Sequence, residues 1–242
     1  MNLIIDIGNT QVKAAVFESN RILEHAVFDE KTFLKNIESI LKKHQIKSCI
    51  LSSVKEMSVN YTEVLSKIPY FLELNASTKI PYNNLYGTPE TLGLDRIALM
   101  AAASSEYSLK NVLVIDAGTC ITFDFINRKN EYLGGAISPG IGIRYKSLNY
   151  YTSKLPKLEK TNEYQLVGRS TSLSIHSGVI NGVVNEINGV ISQYQEKYHD
   201  LTVVLTGGDT NFLSKQLKNS IFANQNFLLY GLNKILTFNY QE

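Results

Sequence analysis

Apolar residues in this chain come in short bursts, each stopped by a turn residue. Residues 3–17 read LIIDIGNTQVKAAVF, an apolar strand, a tight Asp-x-Gly turn and a second strand. Residues 113–127 repeat the pattern as LVIDAGTCITFDFIN. Asp6 aligns with Asp116 and Gly8 with Gly118, an offset of 110 in both cases. At the same offset a third strand follows in each half, RILEHAVF from Arg21 and EYLGGAIS from Glu131. An internal repeat of this kind shapes the whole architecture.

The spacing then turns helical. Phe33, Ile37, Ile40 and Leu41 predict a helix, followed by a buried strand at Cys49–Val54. An Ala-rich helix is expected over Arg96–Ser105. In the second half Ile175, Val179, Val183, Ile187, Val190 and Tyr194 mark a long amphipathic helix, which feeds a strand at Thr202–Leu205. Residues 150–165 are polar, carry Pro156 and read as a loop. Three strands followed by alternating helices and strands predict an α/β fold with a mixed sheet flanked by helices in each half. The boundary is expected near Tyr107–Asn111, which gives lobes of 1–108 and 109–242.

Composition narrows the setting. A chain of 242 residues with 44% hydrophobic and 19% charged residues has enough apolar material for two lobes of ordinary size. Twenty-four basic against 22 acidic residues leave +2, which argues against a dedicated nucleic-acid surface. Cys49 and Cys120 form no C-x-x-C pair, so neither a disulfide framework nor a cysteine zinc site is expected, and a reducing cytoplasm is the natural compartment. The start of the chain lacks a signal-peptide pattern, and no apolar run reaches the roughly 18 residues of a membrane span. The four histidines (His25, His44, His176 and His199) show no ligand spacing.

The turn Asp6-Ile7-Gly8-Asn9-Thr10 is the first candidate for chemistry. Gly8 permits close backbone approach to a ligand, turn amides can cradle phosphate oxygens, and Lys13 offers a positive charge. Asp6 suits Mg²⁺, which favours one or two carboxylates together with phosphate oxygens. Asp, Gly and Asn also favour ordinary hairpin turns. Two copies at equivalent places favour the ligand reading. The second copy, Asp116-Ala117-Gly118-Thr119, lacks the lysine and offers the hydroxyls of Thr119 and Thr122. A third element, Thr206-Gly207-Gly208-Asp209, leaves a strand on two glycines, where an adenine or ribose can lie against bare backbone.

These three elements, in this order, resemble the actin/hexokinase/Hsp70 superfamily of ATP-binding proteins. That implies two tandem duplicated lobes of the ribonuclease H-like/actin-like type, each with a mixed five-stranded sheet, and a nucleotide cleft between them. The rival G-x-x-x-x-G-K-[ST] and protein-kinase motifs are missing. On further motifs the chain resembles type III pantothenate kinases. These are Ser52-Ser53, Y-x-T-P-x-x-x-G-x-D-R from Tyr86, G-G-x-I-S-P-G from Gly134 and S-T-x-x-x-x-x-S-G around Thr171. Departures fall at Ala15, Thr91, Leu94 and Ile175-His176.

The resemblance implies ATP-dependent phosphorylation of pantothenate to 4'-phosphopantothenate, the first step of coenzyme A biosynthesis. Asp95 would be the general base. Tyr86, Gly93, Leu94, Asp95, Arg96 and Thr171 would contact pantothenate. ATP would be held by Asp6, Ile7, Gly8, Asn9, Thr10, Gln11, Val12 and Lys13, and by Thr119, Gly207 and Gly208. Mg²⁺ would enter with ATP near Asp6, and Asp116 would bind a monovalent cation, K⁺ or NH₄⁺. The family's substrate pocket at a homodimer boundary matches a helix bearing Gly178, Gly182 and Gly189, although packing within one subunit would also account for those glycines. Neither a nucleic acid nor a membrane is expected as partner. A catalytically silent or regulatory ATP-binding protein of the same fold, and a kinase for another small polyol, stand as alternatives. Asp95-Arg96 also has a plain reading, as a helix-start carboxylate beside a surface ion pair.

Overall fold

The computed structural model describes residues 1–53 and 59–240. Its chain divides into two compact units. The first comprises Met1–Ser108, Asn130–Tyr132 and Phe227–Glu242, and the second Leu109–Lys129 and Leu133–Asn226. Residues 227–242, expected in the second lobe, group instead with the first.

The first unit is built on β1 (Asn2–Ile7), β2 (Val12–Glu18), β3 (Arg21–Phe28), β4 (Ser48–Ser53) and β5 (Tyr70–Glu73), in the order β3-β2-β1-β4-β5. β1 runs antiparallel to β2 and parallel to β4. The expected buried strand at Cys49–Val54 is β4; Val54 lies outside the described residues. Alternation divides β1 between two faces. Leu3, Ile5 and Ile7 pack with Phe33, Ile37 and Ile40 of α1 (Phe33–Lys43) and Leu65 of α2 (Val59–Leu65). Ile4 and Asp6 point to the opposite face. Here lie the Ala-rich helix α3 (Leu94–Glu106) and the C-terminal helix that packs on it.

The second unit starts with β7 (Asn111–Ala117), β8 (Cys120–Ile126) and β9 (Glu131–Pro139), which follow a two-residue strand β6 (Asn83–Asn84). Its helices are α4 (Ile141–Tyr150), α5 (Thr171–Lys197) and the single turn α6 (Thr210–Leu213); β10 (Leu201–Thr206) and β11 (Phe222–Ala223) complete its strands. The chain ends in α7 (Phe227–Tyr240), the C-terminal helix of the first unit. The second sheet runs β11-β10-β7-β8-β9-β6. Read from β9 to β11, it repeats the order of the first sheet. It has six strands rather than the expected five, because β6 pairs with Glu131 and Tyr132 at the start of β9. Two residues carry no periodicity, which is why the sequence pattern missed it. Leu113, Ile115, Phe123 and Phe125 form a core with Ile141 and Tyr145 of α4 and the apolar stripe of α5 from Ile175 to Ile191. No helix among the described residues is long and apolar enough to cross a membrane.

Candidate active site

Strand register builds the first half of the site. Asp6 is paired with Lys13 on one neighbouring strand and with Ser52 on the other. Directly opposed residues share a face, so lysine, carboxylate and hydroxyl form a row across β2, β1 and β4. That row lies on the face of α3, whose first turn carries Asp95. Asp6 is 8% exposed. Burial raises its pKa to about 6, against the pull of the Lys13 charge; the Asp95 carboxylate raises it further, and a Ser52 hydrogen bond lowers it. Two carboxylates of the first unit are thus close enough to feel each other. Gly8 closes the turn by donating its N–H to the Gln11 carbonyl at 3.1 Å. Ile7 and Val12 bury their side chains in the core, so only their backbones can meet a ligand, whereas Asn9, Thr10 and Gln11 are exposed.

Gly93, not Asp95, is the N-cap of α3. Asp95 sits in the first helical turn, where its Oδ1 accepts the Arg96 N–H at 2.8 Å. A Cβ on Gly93 would stand 2.5 Å from that same oxygen, so the glycine leaves Asp95 its place. Arg96 is 5% exposed and lies 5.3 Å from the centre of the Tyr86 ring. Tyr86 in turn stacks on Tyr132. The surface ion-pair reading of Asp95-Arg96 therefore fails for the arginine. Tyr86, Gly93, Leu94, Asp95 and Arg96 come together at one end of α3.

The second unit repeats the row with different chemistry. Asp116 is paired with Thr122 on β8 and Thr206 on β10. Threonine thus replaces the lysine of the first row. Thr122 is buried, and its Oγ1 has no hydrogen-bond partner. Gly207 has φ +94°, and a Cβ there would lie 2.3 Å from Asp116 Oδ1 and 2.4 Å from the Ala117 carbonyl. Only glycine lets the chain leave β10 this close to the Asp116 turn. Gly208 faces open space. Thr119 lines a cavity of about 260 Å³ with Gly118, Lys146, Lys160 and Asp209.

Thr171 is separate from that cavity. It opens α5 and lines a larger hollow of about 670 Å³ with Arg144, Leu148, Leu155 and Gly178. Arg144 is anchored by the Pro139 carbonyl, Ser138 Oγ and an ion pair with Glu186. A Cβ on Gly178, Gly182 or Gly189 would meet no neighbour within 4 Å, so close packing inside one subunit does not explain these glycines. The sequence reading gave no role to Ser52, Lys146, Lys160 or the Asp209 side chain. Ser52 belongs to the Ser52-Ser53 motif, whereas Lys160 lies in an irregular loop that offers no signal.

Two solved structures match the fold over nearly the whole chain. One is a Campylobacter jejuni protein described as a Baf family transcriptional activator, 21% identical, with TM-score 0.64 and coverage of 99% of this chain and 100% of that one. The other is a glucokinase from an Antarctic psychrotroph, 12% identical, with TM-score 0.53 and 98% of each chain covered. At these identities the likeness concerns architecture alone, a two-sheet α/β fold.

The sequence narrows the class. The family model described as type III pantothenate kinase matches residues 2–193. A type III pantothenate kinase of Christiangramia forsetii is 52% identical over 240 residues, 99% of both chains. Another, of Flavobacterium psychrophilum, is 45% identical over 243 residues, all of both chains. The chain belongs to the type III pantothenate kinase family.

Proposed function

We propose that this chain transfers the terminal phosphoryl group of ATP to the hydroxyl of pantothenate, giving 4'-phosphopantothenate, the opening step of coenzyme A biosynthesis. Family membership over the full length supports the substrate. The observation that carries the mechanism is the placing of Asp95 beside the Asp6–Lys13–Ser52 row. Phosphoryl transfer needs positioning and neutralisation of phosphate oxygens more than covalent help. In this reading the Asp6–Lys13 turn holds ATP phosphates, with Asn9, Thr10 and Gln11 offering exposed donors and Ile7, Gly8 and Val12 their backbone. Asp95 orients the pantothenate hydroxyl and takes its proton as the new bond to phosphorus forms. Tyr86, Gly93, Leu94 and Arg96 surround that hydroxyl's approach. In the second unit, Thr119, Gly207 and Gly208 are the nucleotide contacts.

Two cations belong to this reading. The buried Asp6 carboxylate suits Mg²⁺ carried in with ATP, which supplies positive charge to the phosphate oxygens. Asp116 suits K⁺ or NH₄⁺. It stands between two threonines where the first row has a lysine, and the buried Thr122 Oγ1 is an oxygen donor still lacking a partner. Thr171 contacts pantothenate from the interface of a homodimer, and the open stripe of Gly178, Gly182 and Gly189 faces the second copy. Cytoplasmic residence goes with this metabolic role.

A coupled assay with Mg-ATP tests the reading. Pantothenate is expected to turn over, glycerol and hexoses are not, and K⁺ or NH₄⁺ should support far more activity than Na⁺. Asp95→Asn keeps the shape and the hydrogen bond from Arg96 but cannot take a proton. Its turnover should fall by about 10²–10⁴-fold with melting temperature and ATP affinity retained. Equal turnover of glucose would refute the substrate, and near-normal turnover of the variant would refute the base.

A further inference from the structure

The cavity beside Thr119 is lined by three charged side chains, Lys146, Lys160 and Asp209. Gly118 and Thr119 form one side and Ile141, Gly142, Ile143 and Lys146 of α4 another; Lys160 and Asp209 close it. Lys160 comes from the irregular segment 151–170, and Asp209 follows the two glycines after β10. The Lys160 ammonium is ion-paired with the Asp209 carboxylate and lies 5.1 Å from the centre of the Phe212 ring. Carboxylate and aromatic face together hold it at the cavity wall. The ionisable side chains of the wall are two lysines and one aspartate, two positive charges against one negative.

A partly exposed ion pair of this kind adds little to stability, so stability is a poor reason for it. The cavity, about 260 Å³, falls below the roughly 300–1,000 Å³ of pockets that enclose a whole drug-sized ligand. It has room for a phosphate group with its water. The lysine of the first turn has no counterpart at the second, where Thr122 takes the position. Lys146 and Lys160 bring back positive charge at that turn from elsewhere in the chain.

We propose that Lys160 reads the phosphates of the nucleotide: Asp209 holds its ammonium at the cavity, and the ammonium passes to phosphate oxygens when ATP binds, with Lys146 as a second cation. This rests on the reading that Thr119 touches ATP. A lysine suits the exchange, because its ammonium is a compact point charge on a flexible stem and can leave one acceptor for another. Asp209 is then a positioning residue that keeps the cation close without burying it.

Calorimetry on the full chain with MgATP and with adenosine, alongside steady-state kinetics, tests the proposal. Lys160→Met should weaken MgATP binding about tenfold, the size of one charge-assisted contact, and leave adenosine binding unchanged. The KM for MgATP should rise in parallel, with the KM for pantothenate and the nucleotide-free melting temperature within error of the parent. Lys160→Arg should recover most of the loss. MgATP affinity within twofold of the parent would overturn the proposal. So would an equal rise in both KM values, or equal losses for MgATP and adenosine. If the parent binds MgATP but leaves pantothenate untouched, the kinase reading fails, and calorimetry still decides the role of Lys160.

Discussion

Burial lifts the Asp6 pKa from 3.8 to about 6, because a charge 8% exposed in a sheet interior loses most of its hydration. Lys13 and Ser52 recover part of that loss, and Asp95 adds to it. An acid whose pKa rises on folding binds more protons folded than unfolded between the two values. Its contribution to stability is therefore complete below about pH 3.8 and is lost as pH climbs through about 6. The shift corresponds to about 3 kcal/mol at most. Asp6→Asn removes the ionisation and keeps the shape. We expect it to melt several degrees above the parent at pH 8, with the gap closing near pH 4, while MgATP-dependent turnover is lost. Equal melting temperatures at pH 8 would mean that Lys13 and Ser52 already offset the cost. At this scale Asp6 was legible in the sequence because its turn occurs twice. The Ser52 partnership was not, since it depends on the register between β1 and β4.

The helix that carries Asp95 is held by another from the far end of the chain. α7 crosses α3 at Gly231, where a Cβ would stand 1.8 Å from the Ala98 carbonyl. Asn233 of the same helix is buried; it accepts the Asn2 side-chain amide at 2.8 Å and donates to the Ser19 carbonyl at 2.9 Å. Those bonds tie α7 to the strands that carry the Asp6 turn. Gly231→Ala would force the two helices apart. It should cost about 1–3 kcal/mol, read as a lower urea midpoint, the range for overpacking a close interior. An unchanged midpoint would show that the crossing has slack. The apolar periods predicted α1 and α5 within a few residues, because a buried stripe must recur every helical turn. They could not say which sheet α7 would join, because a helix apolar on most sides suits either.

As a whole molecule the chain is proposed to work in pairs. Thr171, Gly178, Gly182 and Gly189 follow one another on α5 at spacings of seven, four and seven residues, which keeps them on one face of the helix. A Cβ on any of the three glycines would meet no described heavy atom within 4 Å. Light scattering should give twice the 27.1 kDa of one chain. Gly182→Arg should give the single mass with unchanged circular dichroism, since a Cβ there meets no heavy atom within 4 Å, and pantothenate turnover should fall. A monomeric parent, or a variant that stays dimeric and active, would count against the paired site.

By itself the sequence determined the two strand–turn–strand openings, the placing of an acid at each turn and the family. All of these are local patterns or ordered motifs that need no knowledge of what folds against what. Tertiary structure alone decided that Lys13, Asp6 and Ser52 form one row. It also brought Asp95 to that row, set Thr122 in place of a lysine beside Asp116, carried the last helix back to the first unit and laid Lys160 against Asp209. These pairings join residues from 6 to over 200 positions apart. They follow from strand register and from which face of a sheet each helix covers, and neither is written in any short stretch of chain.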